Sequence, residues 1–373
     1  MEDRIRSALA DFLGAGEATS ARLTNLGGHA SLRIYWRVRF DEGVGPRDEH
    51  TLMAMVLPED FELDSSDEVT NGAAPSELPF VNVQRFLQAL HVPVPQIDHV
   101  DMDLGVVLLE DLGDEMLEDA YLRIIDDFGQ DFAHRREPTE QLYHGAINLL
   151  VDLQRKCLRL HLESDPLDAP RTIATERSFD HKLLRWELDH YTEWGLEKHY
   201  EEALPPERMQ ELEECFERLL AEILELPQTL SLRDMQSRNL MIKHERLVAI
   251  DFQDALMGPF VYDLVALLRD SYVELPFLLV NRLVRHYITQ GRAAGLPWCD
   301  EDAPVHRAFH LVTVQRKLKD AGRFVFLDKV KGNPGFMPYY EPSIGYVRHA
   351  LEVLEEYEDL RDLIAEFEPA WHG

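Results

Sequence analysis

The hydrophobic pattern of this chain changes period near residue 110, and that change restricts the fold more than any other feature. Before it, apolar positions alternate or come in short runs. Ile34, Trp36, Val38 and Phe40 alternate with polar neighbours, while 51–56 and Val106-Val107-Leu108-Leu109 are short apolar stretches. Side chains on a strand project to opposite faces in turn, so these patterns predict strands. After Gly113 the spacing becomes helical over 139–160, 180–197, 206–226, 261–274, 276–294, 302–319 and 341–367. Strands gathered ahead of helices predict an α+β, two-lobed fold, with a strand-rich lobe at 1–110 and a helical lobe at 111–373.

Inside the first lobe, Ile5, Leu9, Phe12 and Leu13 predict an amphipathic helix over 2–13 that stops before Gly14. Arg22-Leu23 and 32–40 read as strands joined through Asn25-Leu26-Gly27-Gly28, with a third strand at 51–56. The stretch 57–77 has no Lys or Arg and several acids, and reads as a solvated, mobile loop. A helix over 80–90 is stopped by Val92-Pro93-Val94-Pro95, because proline lacks the N–H that a helix needs. A hairpin follows, 98–103 with 104–109, ending in Glu110-Asp111-Leu112-Gly113.

With 38 Lys and Arg against 69 Asp and Glu, the 373-residue chain carries a formal net charge of −31. Nucleic acid and anionic membranes are recognised by clustered cations, so both are excluded as general partners. No apolar run approaches the roughly 18 residues of a membrane-spanning helix. The start, Met1-Glu2-Asp3-Arg4-Ile5-Arg6, has no apolar core of a secretory signal, and three scattered cysteines fit neither a disulfide framework nor a zinc site. A reducing, cytoplasmic setting is expected. The sixteen histidines show no ligand-like spacing, and no general-base histidine is assigned.

One stretch of the helical lobe breaks the helical period. Ser231-Leu232-Arg233-Asp234-Met235-Gln236-Ser237-Arg238-Asn239 leads into the apolar runs Leu240-Met241-Ile242 and Leu247-Val248-Ala249-Ile250, which flank the polar turn His244-Glu245-Arg246. That is a hairpin, with Asn239 at the start of one strand and Asp251 at the end of its partner, side by side at one end of the ribbon. Asp234, on the entering loop, can reach the same place. Two carboxylates and a carboxamide are hard oxygen donors of the kind Mg²⁺ accepts alongside phosphates. A loop Asp, an Asn five residues on and a second Asp after a hairpin form the constellation used in phosphoryl transfer.

With Tyr262-Asp263-Leu264 after Gly258-Pro259, the segment 231–270 resembles the catalytic segment of the aminoglycoside phosphotransferase-like kinases, a branch of the protein-kinase-like fold. Asp251-Phe252-Gln253-Asp254-Ala255 is similar in particular to the bacterial cell-wall amino-sugar kinases of that family, which phosphorylate the anomeric hydroxyl of N-acetylmuramate and N-acetylglucosamine in peptidoglycan recycling. Ala30-Ser31-Leu32-Arg33-Ile34-Tyr35 resembles the family's phosphate-covering turn, Leu108 to Gly113 its interlobe hinge, and Gln315-Arg316-Lys317-Leu318-Lys319 a further match. The resemblance implies ATP and Mg²⁺ as cofactors and a small-molecule acceptor, expected to be a sugar. By it, Asp234 would orient or deprotonate the acceptor hydroxyl, Asn239 and Asp251 would hold Mg²⁺, and the backbone of Glu110 and Leu112 would meet adenine. Gly27, Gly28, Ser31 and Arg33 would cover the phosphates. Arg238, Glu187 and Arg316 are candidate acceptor contacts, although packing explains Glu187, Trp194, Gln315 and Arg316 equally well. Asp263 is expected to cap the helix 264–269, because Asp suits that position.

Two positions depart from the pattern. Leu232 stands where such kinases usually carry His or a relative, and the third strand reads Thr51-Leu52-Met53-Ala54-Met55-Val56 without a lysine. Together they raise a second reading, a nucleotide-binding pseudokinase without turnover, and within the enzyme class an aminoglycoside or choline-type acceptor is the alternative. Retention of Asp234, Asn239 and Asp251 favours the enzyme, with altered activity expected from Leu232.

Overall fold

The computed structural model describes residues 1–27, 33–41, 46, 49–59, 61, 77–129, 131–162 and 170–372. The first lobe runs α1 (Glu2–Leu13), α2 (Ala15–Ser20), β1 (Arg22–Gly27), β2 (Ile34–Arg39), β3 (Thr51–Val56), α3 (Pro79–Ala89), β4 (Ile97–Asp101) and β5 (Val106–Glu110). Its strands form one antiparallel sheet in the order β1-β2-β3-β5-β4. β2 meets β3 without a slip from Ile34↔Val56 to Arg39↔Thr51. The two-residue period divides the side chains: Trp36, Val38, Leu52, Ala54, Val56, Val106 and Leu108 pack on Ile5, Ala8 and Leu9 of α1. Met55, Val107 and Leu109 face the other way, onto Phe80, Val83, Phe86 and Leu87 of α3, and join the main core. Each fully buried Leu, Val or Phe adds roughly 1.5–3 kcal/mol, so a one-residue slip of β3 would turn both sets to the wrong face. Most of the acidic stretch 57–77 lies outside the described residues.

The helical lobe contains α4 (Leu117–Phe128), α5 (Phe132–Leu162), α6 (Ile173–Glu176), α7 (His181–His190), α8 (Pro206–Glu225), β6 (Gln228–Ser231), β7 (Leu240–Lys243), β8 (Arg246–Ala249), β9 (Leu256–Pro259), α9 (Tyr262–Leu268), α10 (Phe277–Ala293), α11 (Asp302–Lys329), α12 (Tyr340–Val353) and α13 (Glu358–Phe367). Several boundaries differ from the periodicity. α4 was not expected, because only Leu117, Ala120 and Tyr121 are buried among its acids. The helix expected over 180–197 changes at Tyr191 into a π-helical segment, Tyr191–Lys198, in which Gly195 lies against the Tyr191 ring where a Cβ would clash. α9 stops at Leu268, since Asp270 turns back to the loop before β7. α11 runs on to Lys329, and the last expected helix is broken at Leu354 by a 3₁₀ turn, Glu355–Tyr357. The pairing of β6 with β9 was also not foreseen.

Several contacts fix the lobes to each other. Ala249 N–H donates to the Pro93 carbonyl (2.9 Å) and Ile242 N–H to that of Glu115 (2.8 Å), sewing the β7–β8 ribbon to the chain on both sides of the hinge. Lys243 Nζ bridges Glu49 (2.6 Å) and Glu110 (2.8 Å). The buried Arg37 of β2 holds Asp111 Oδ2 at 2.7 Å and the Gly113 carbonyl at 3.0 Å. Phe80 of α3 stacks on Phe252, the residue after Asp251, with ring centroids 5.0 Å apart. The sheet, the hinge and the ribbon end are thereby set as one frame.

Candidate active site

The ribbon has the expected form, with Leu240↔Ala249 to Lys243↔Arg246 in register and a two-residue turn at His244 (φ 49°) and Glu245 (φ 63°). Both left-handed residues match the twist of a tight hairpin. Asn239 ends the turn Ser237–Asn239, and its carbonyl accepts from Ile250 N–H at 2.9 Å, which puts Asn239 beside Ile250-Asp251. Asn239 Nδ2 donates to the Asp234 carbonyl (2.8 Å). With its amide nitrogen so used, the Asn239 side-chain oxygen is the atom left for a cation.

The loop from β6 to the ribbon is held from below by buried charge. Asp263 does not cap α9, which already begins at Tyr262. Instead its Oδ1 accepts from Ser231 Oγ (2.7 Å) and Arg233 N–H (3.0 Å), and its Oδ2 from Leu232 N–H (2.7 Å). Burial pushes the Asp263 carboxyl up to about 6, with Ser231, the Leu232 N–H and the Arg316 charge opposing it. The three hydrogen bonds to Asp263 fasten Arg233 in the left-handed region, φ 74°, a strained place for a residue with a Cβ. Support that a histidine at 232 would give the loop comes here from backbone donors to Asp263, while the Leu232 side chain joins the core.

Two candidate acceptor contacts prove to be buried. Glu187 has no exposed surface, and its oxygens accept from Arg233 Nη2 (3.1 Å) and Gln315 Nε2 (2.6 Å), so it braces the loop and cannot touch an acceptor. Arg316 is 1% exposed; Nη1 donates to the Arg233 carbonyl (2.8 Å) and Nη2 to Asp234 Oδ1 (2.9 Å), while the guanidinium lies 4.9 Å from the Tyr262 ring centroid. It grips Asp234 itself. Burial alone would raise the Asp234 carboxyl, but Lys319, Arg316 and Arg233 outweigh it and hold the group below its ordinary value, ionised near neutrality.

Asp251 sits with φ 59°, again left-handed, and its Oδ1 accepts from Gln253 Nε2 (2.9 Å). The cleft walls desolvate its carboxyl and raise it; Gln253 opposes this, Asp234 adds to it and Arg33 opposes it. No cluster of three His, Cys, Asp or Glu able to hold a metal exists among the described residues. One carboxylate and one amide oxygen nonetheless fit Mg²⁺, which keeps waters and takes phosphate oxygens for its remaining positions.

On the sheet side, Gly27 ends β1 with φ 83°, its N–H bonded to Asn25 Oδ1 at 2.7 Å, and a Cβ there would meet nothing within 4 Å. Gly28 and Ser31 lie outside the described residues. Arg33 hydrogen-bonds the Tyr35 hydroxyl and acts electrostatically on Asp251 across the lobes. Tyr35 in turn reaches Met55 Sδ at 3.5 Å, so Arg33 brings a cation close to where the β3 lysine is missing. Glu110 N–H is donated to the Gln96 carbonyl (2.8 Å), which leaves its carbonyl rather than its N–H to meet a purine. Leu112 packs with Met241 and Val248 of the ribbon, Met116 and Ile250 beside it, in a small apolar cluster apart from the main core. Sequence reading missed Met241 and Val248 here; their alternation along β7 and β8 was the available signal.

On the opposite side Arg238 is paired twice with Glu118 of α4, Nε to Oε2 at 2.7 Å and Nη2 to Oε1 at 2.9 Å, and lies 3.8 Å from the Tyr272 ring centroid. The Nε–Nη2 edge of its guanidinium is thus held by α4. Asp270 accepts from Ser237 N–H (2.7 Å) and Tyr272 N–H (2.9 Å), which seats Tyr272 next to the loop.

A two-lobed sheet-and-helix frame with two acids and an amide at one ribbon end defines a protein of the kinase-like class. The chain matches the model of the phosphotransferase enzyme family over residues 66–298, and it belongs to that family. It is 29% identical over 355 residues, 95% of this chain and 90% of the relative, to an N-acetylmuramate/N-acetylglucosamine kinase of Pseudomonas putida. To the protein of the same name from Neisseria meningitidis serogroup B it is 32% identical over 305 residues, 81% of this chain and 83% of the relative. Among solved structures it is similar to a choline kinase of Cryptosporidium parvum, with a TM-score of 0.60, 12% identity and full coverage of both chains, which shows the fold alone. The protein is a small-molecule kinase of the aminoglycoside phosphotransferase type. No helix among the described residues is long and apolar enough to cross a membrane.

Proposed function

We propose that this kinase transfers the γ-phosphoryl group of ATP to the anomeric hydroxyl of an amino sugar of the N-acetylmuramate/N-acetylglucosamine type. The observation that carries the reading is Asp234 held ionised by Arg316 at the end of the ribbon that also presents Asn239 and Asp251. Asp234 accepts the hydroxyl proton as the sugar oxygen bonds to the γ-phosphorus, and the β–γ bridging oxygen leaves with ADP. Asn239 and Asp251 would hold Mg²⁺, which would supply neutralisation of the phosphate charge. Arg33 adds a cation from the sheet lobe, and covering of the phosphates is assigned to Gly27, Gly28 and Ser31 on the resemblance alone. The purine would lie against the apolar cluster of Leu112, Met241 and Val248, with the Glu110 carbonyl and the Leu112 N–H as its backbone partners. Division of the chain into lobes at 1–110 and 111–373 belongs to the same reading, as does a small-molecule partner in a cytoplasmic setting. Support for the amino sugar comes from the names of the two relatives, which the chain matches along most of its length.

The test is ADP formation with Mg-ATP across amino sugars, neutral sugars, aminoglycosides and choline, with Asp234→Asn alongside. Turnover confined to N-acetylated amino sugars, falling by at least about a hundredfold in the variant, is the expected result, on the scale of a general-base contribution. Turnover only on aminoglycosides or choline would refute the acceptor. ATP-dependent stabilisation with no turnover on any acceptor would leave a pseudokinase.

A further inference from the structure

Beyond Asp234, α11 carries a row of cations. Arg316, Lys319 and Arg323 are spaced by three and four residues, so they share one face of that helix. The inner end is fixed by the Arg316–Asp234 bond of 2.9 Å. Lys319 is near enough that its charge is the leading one of those holding the Asp234 carboxyl down against burial. Arg323 lies a turn further out, half-buried, with its guanidinium carbon 5.1 Å from the Phe326 ring centroid.

Aromatic rings flank this basic strip on both sides. On one, Phe326 meets Trp194 edge-on at 5.2 Å and His190 at 5.3 Å. On the other, Phe324 meets Tyr339 at 6.0 Å and Phe336 at 6.2 Å, and Tyr339 meets Tyr272 at 5.1 Å. Gly322 sets how closely the first wall approaches, because a Cβ there would lie 2.8 Å from the His190 carbonyl. The strip between these two aromatic groups, with Arg323 on it and Asp234 at its inner end, is called the trough.

In a chain of net charge −31, a half-buried arginine at the outer end of this face suits an anionic occupant. Arg316 and Lys319 are buried, 1% and 8% exposed. Arg323 is the outermost and most accessible of the three. Seven residues at ~1.5 Å each place it about 10 Å further along the axis than Arg316. One pyranose ring with a short carboxylate arm spans that distance once the long side chains reach inward. We propose that the trough is the acceptor subsite for a carboxylate-bearing sugar, and that Arg323 is the residue that reads the carboxylate. The inference rests on the amino-sugar reading above and refines it, since N-acetylmuramate carries a lactyl carboxylate and N-acetylglucosamine does not.

The experiment compares kcat/KM for N-acetylmuramate, its carboxyl methyl ester and N-acetylglucosamine in the wild type, Arg323→Gln and Arg323→Lys. Wild-type enzyme should prefer the free acid to its ester. Arg323→Gln should lower the N-acetylmuramate to N-acetylglucosamine ratio about tenfold, the loss of one charge-assisted pair. Arg323→Lys should restore part of that ratio, and the wild-type preference should weaken with added salt. Thermal midpoints of the variants report on folding, and the ratio is insensitive to the active fraction. A ratio unchanged by Arg323→Gln, in an enzyme that turns over both sugars, overturns this inference and leaves the amino-sugar kinase standing. No turnover of either sugar by the wild type overturns the parent reading and this inference with it.

Discussion

Replacing Arg316 by Met removes the guanidinium that fixes Asp234 while keeping an apolar stem of similar length over Tyr262. Two charge-assisted hydrogen bonds go, one to Asp234 Oδ1 and one to the Arg233 carbonyl. Removing one partner of a buried ion pair costs about 3–5 kcal/mol, because the other charge is left without compensation. Asp234 retains 34% of its side-chain surface in water, which can resolvate it in part, so the lower end, about 3 kcal/mol, applies. If that loss falls wholly on the transition state, kcat/KM drops by roughly a hundredfold. If it falls on the ground state, the denaturation midpoint drops instead, and measuring both divides the two. The pH dependence carries a sign. Asp234 is held below its ordinary value, so its stabilisation is present above the unfolded pKa near 3.9 and is lost as pH falls through the folded value. Without Arg316 the folded value rises, so the acid limb of kcat/KM moves to higher pH and the stability gap to wild type narrows in acid. Arg316→Lys keeps the charge without the fork and should fall between them. Wild-type kcat/KM, an unmoved acid limb and an unchanged midpoint in Arg316→Met would refute the assignment of Arg316 as the group that holds Asp234.

Asp251→Asn removes the one carboxylate of the proposed metal pair and should weaken Mg-ATP binding by at least about tenfold in calorimetry, with ATP binding in the absence of metal far less affected. Asp263→Asn cannot accept all three loop donors, so both activity and midpoint should fall. Because burial raises the Asp263 carboxyl to about 6, the wild type holds its full advantage below pH ~4 and loses part of it as pH rises through that value, a slope that equilibrium unfolding at several pH values will show missing in the variant. Gly322→Ala drives a methyl against the backbone of His190 and Tyr191, which cannot yield as a side chain tip would; a loss of about 3 kcal/mol, read by denaturant unfolding, is expected.

The strand-to-helix order and the ribbon with Asp234, Asn239 and Asp251 near its end were legible because they rest on local pattern: period two, period 3.6, and a polar turn between two apolar runs. The helix ends were less so. The π-helical turn after His190 and the arrest of α9 at Leu268 accompany contacts with α11 and the catalytic loop that lie far away in sequence. The roles of single polar residues separated in the same way. Asp263 has the composition of a helix cap and Glu187 that of a surface acid, yet each is buried and anchors Arg233.

The amino-acid sequence by itself determined which residues alternate, which recur at helical spacing and which polar groups must lie together at the ribbon end, because those are properties of the backbone's own geometry. Only the tertiary structure decided which charges face the cleft and which are consumed inside. Arg316 belongs to Asp234 and Arg238 to Glu118, since a side chain's partner is set by the packing of elements as much as 120 residues apart. Long-range burial, and the need of every buried charge for a neighbour, made those assignments.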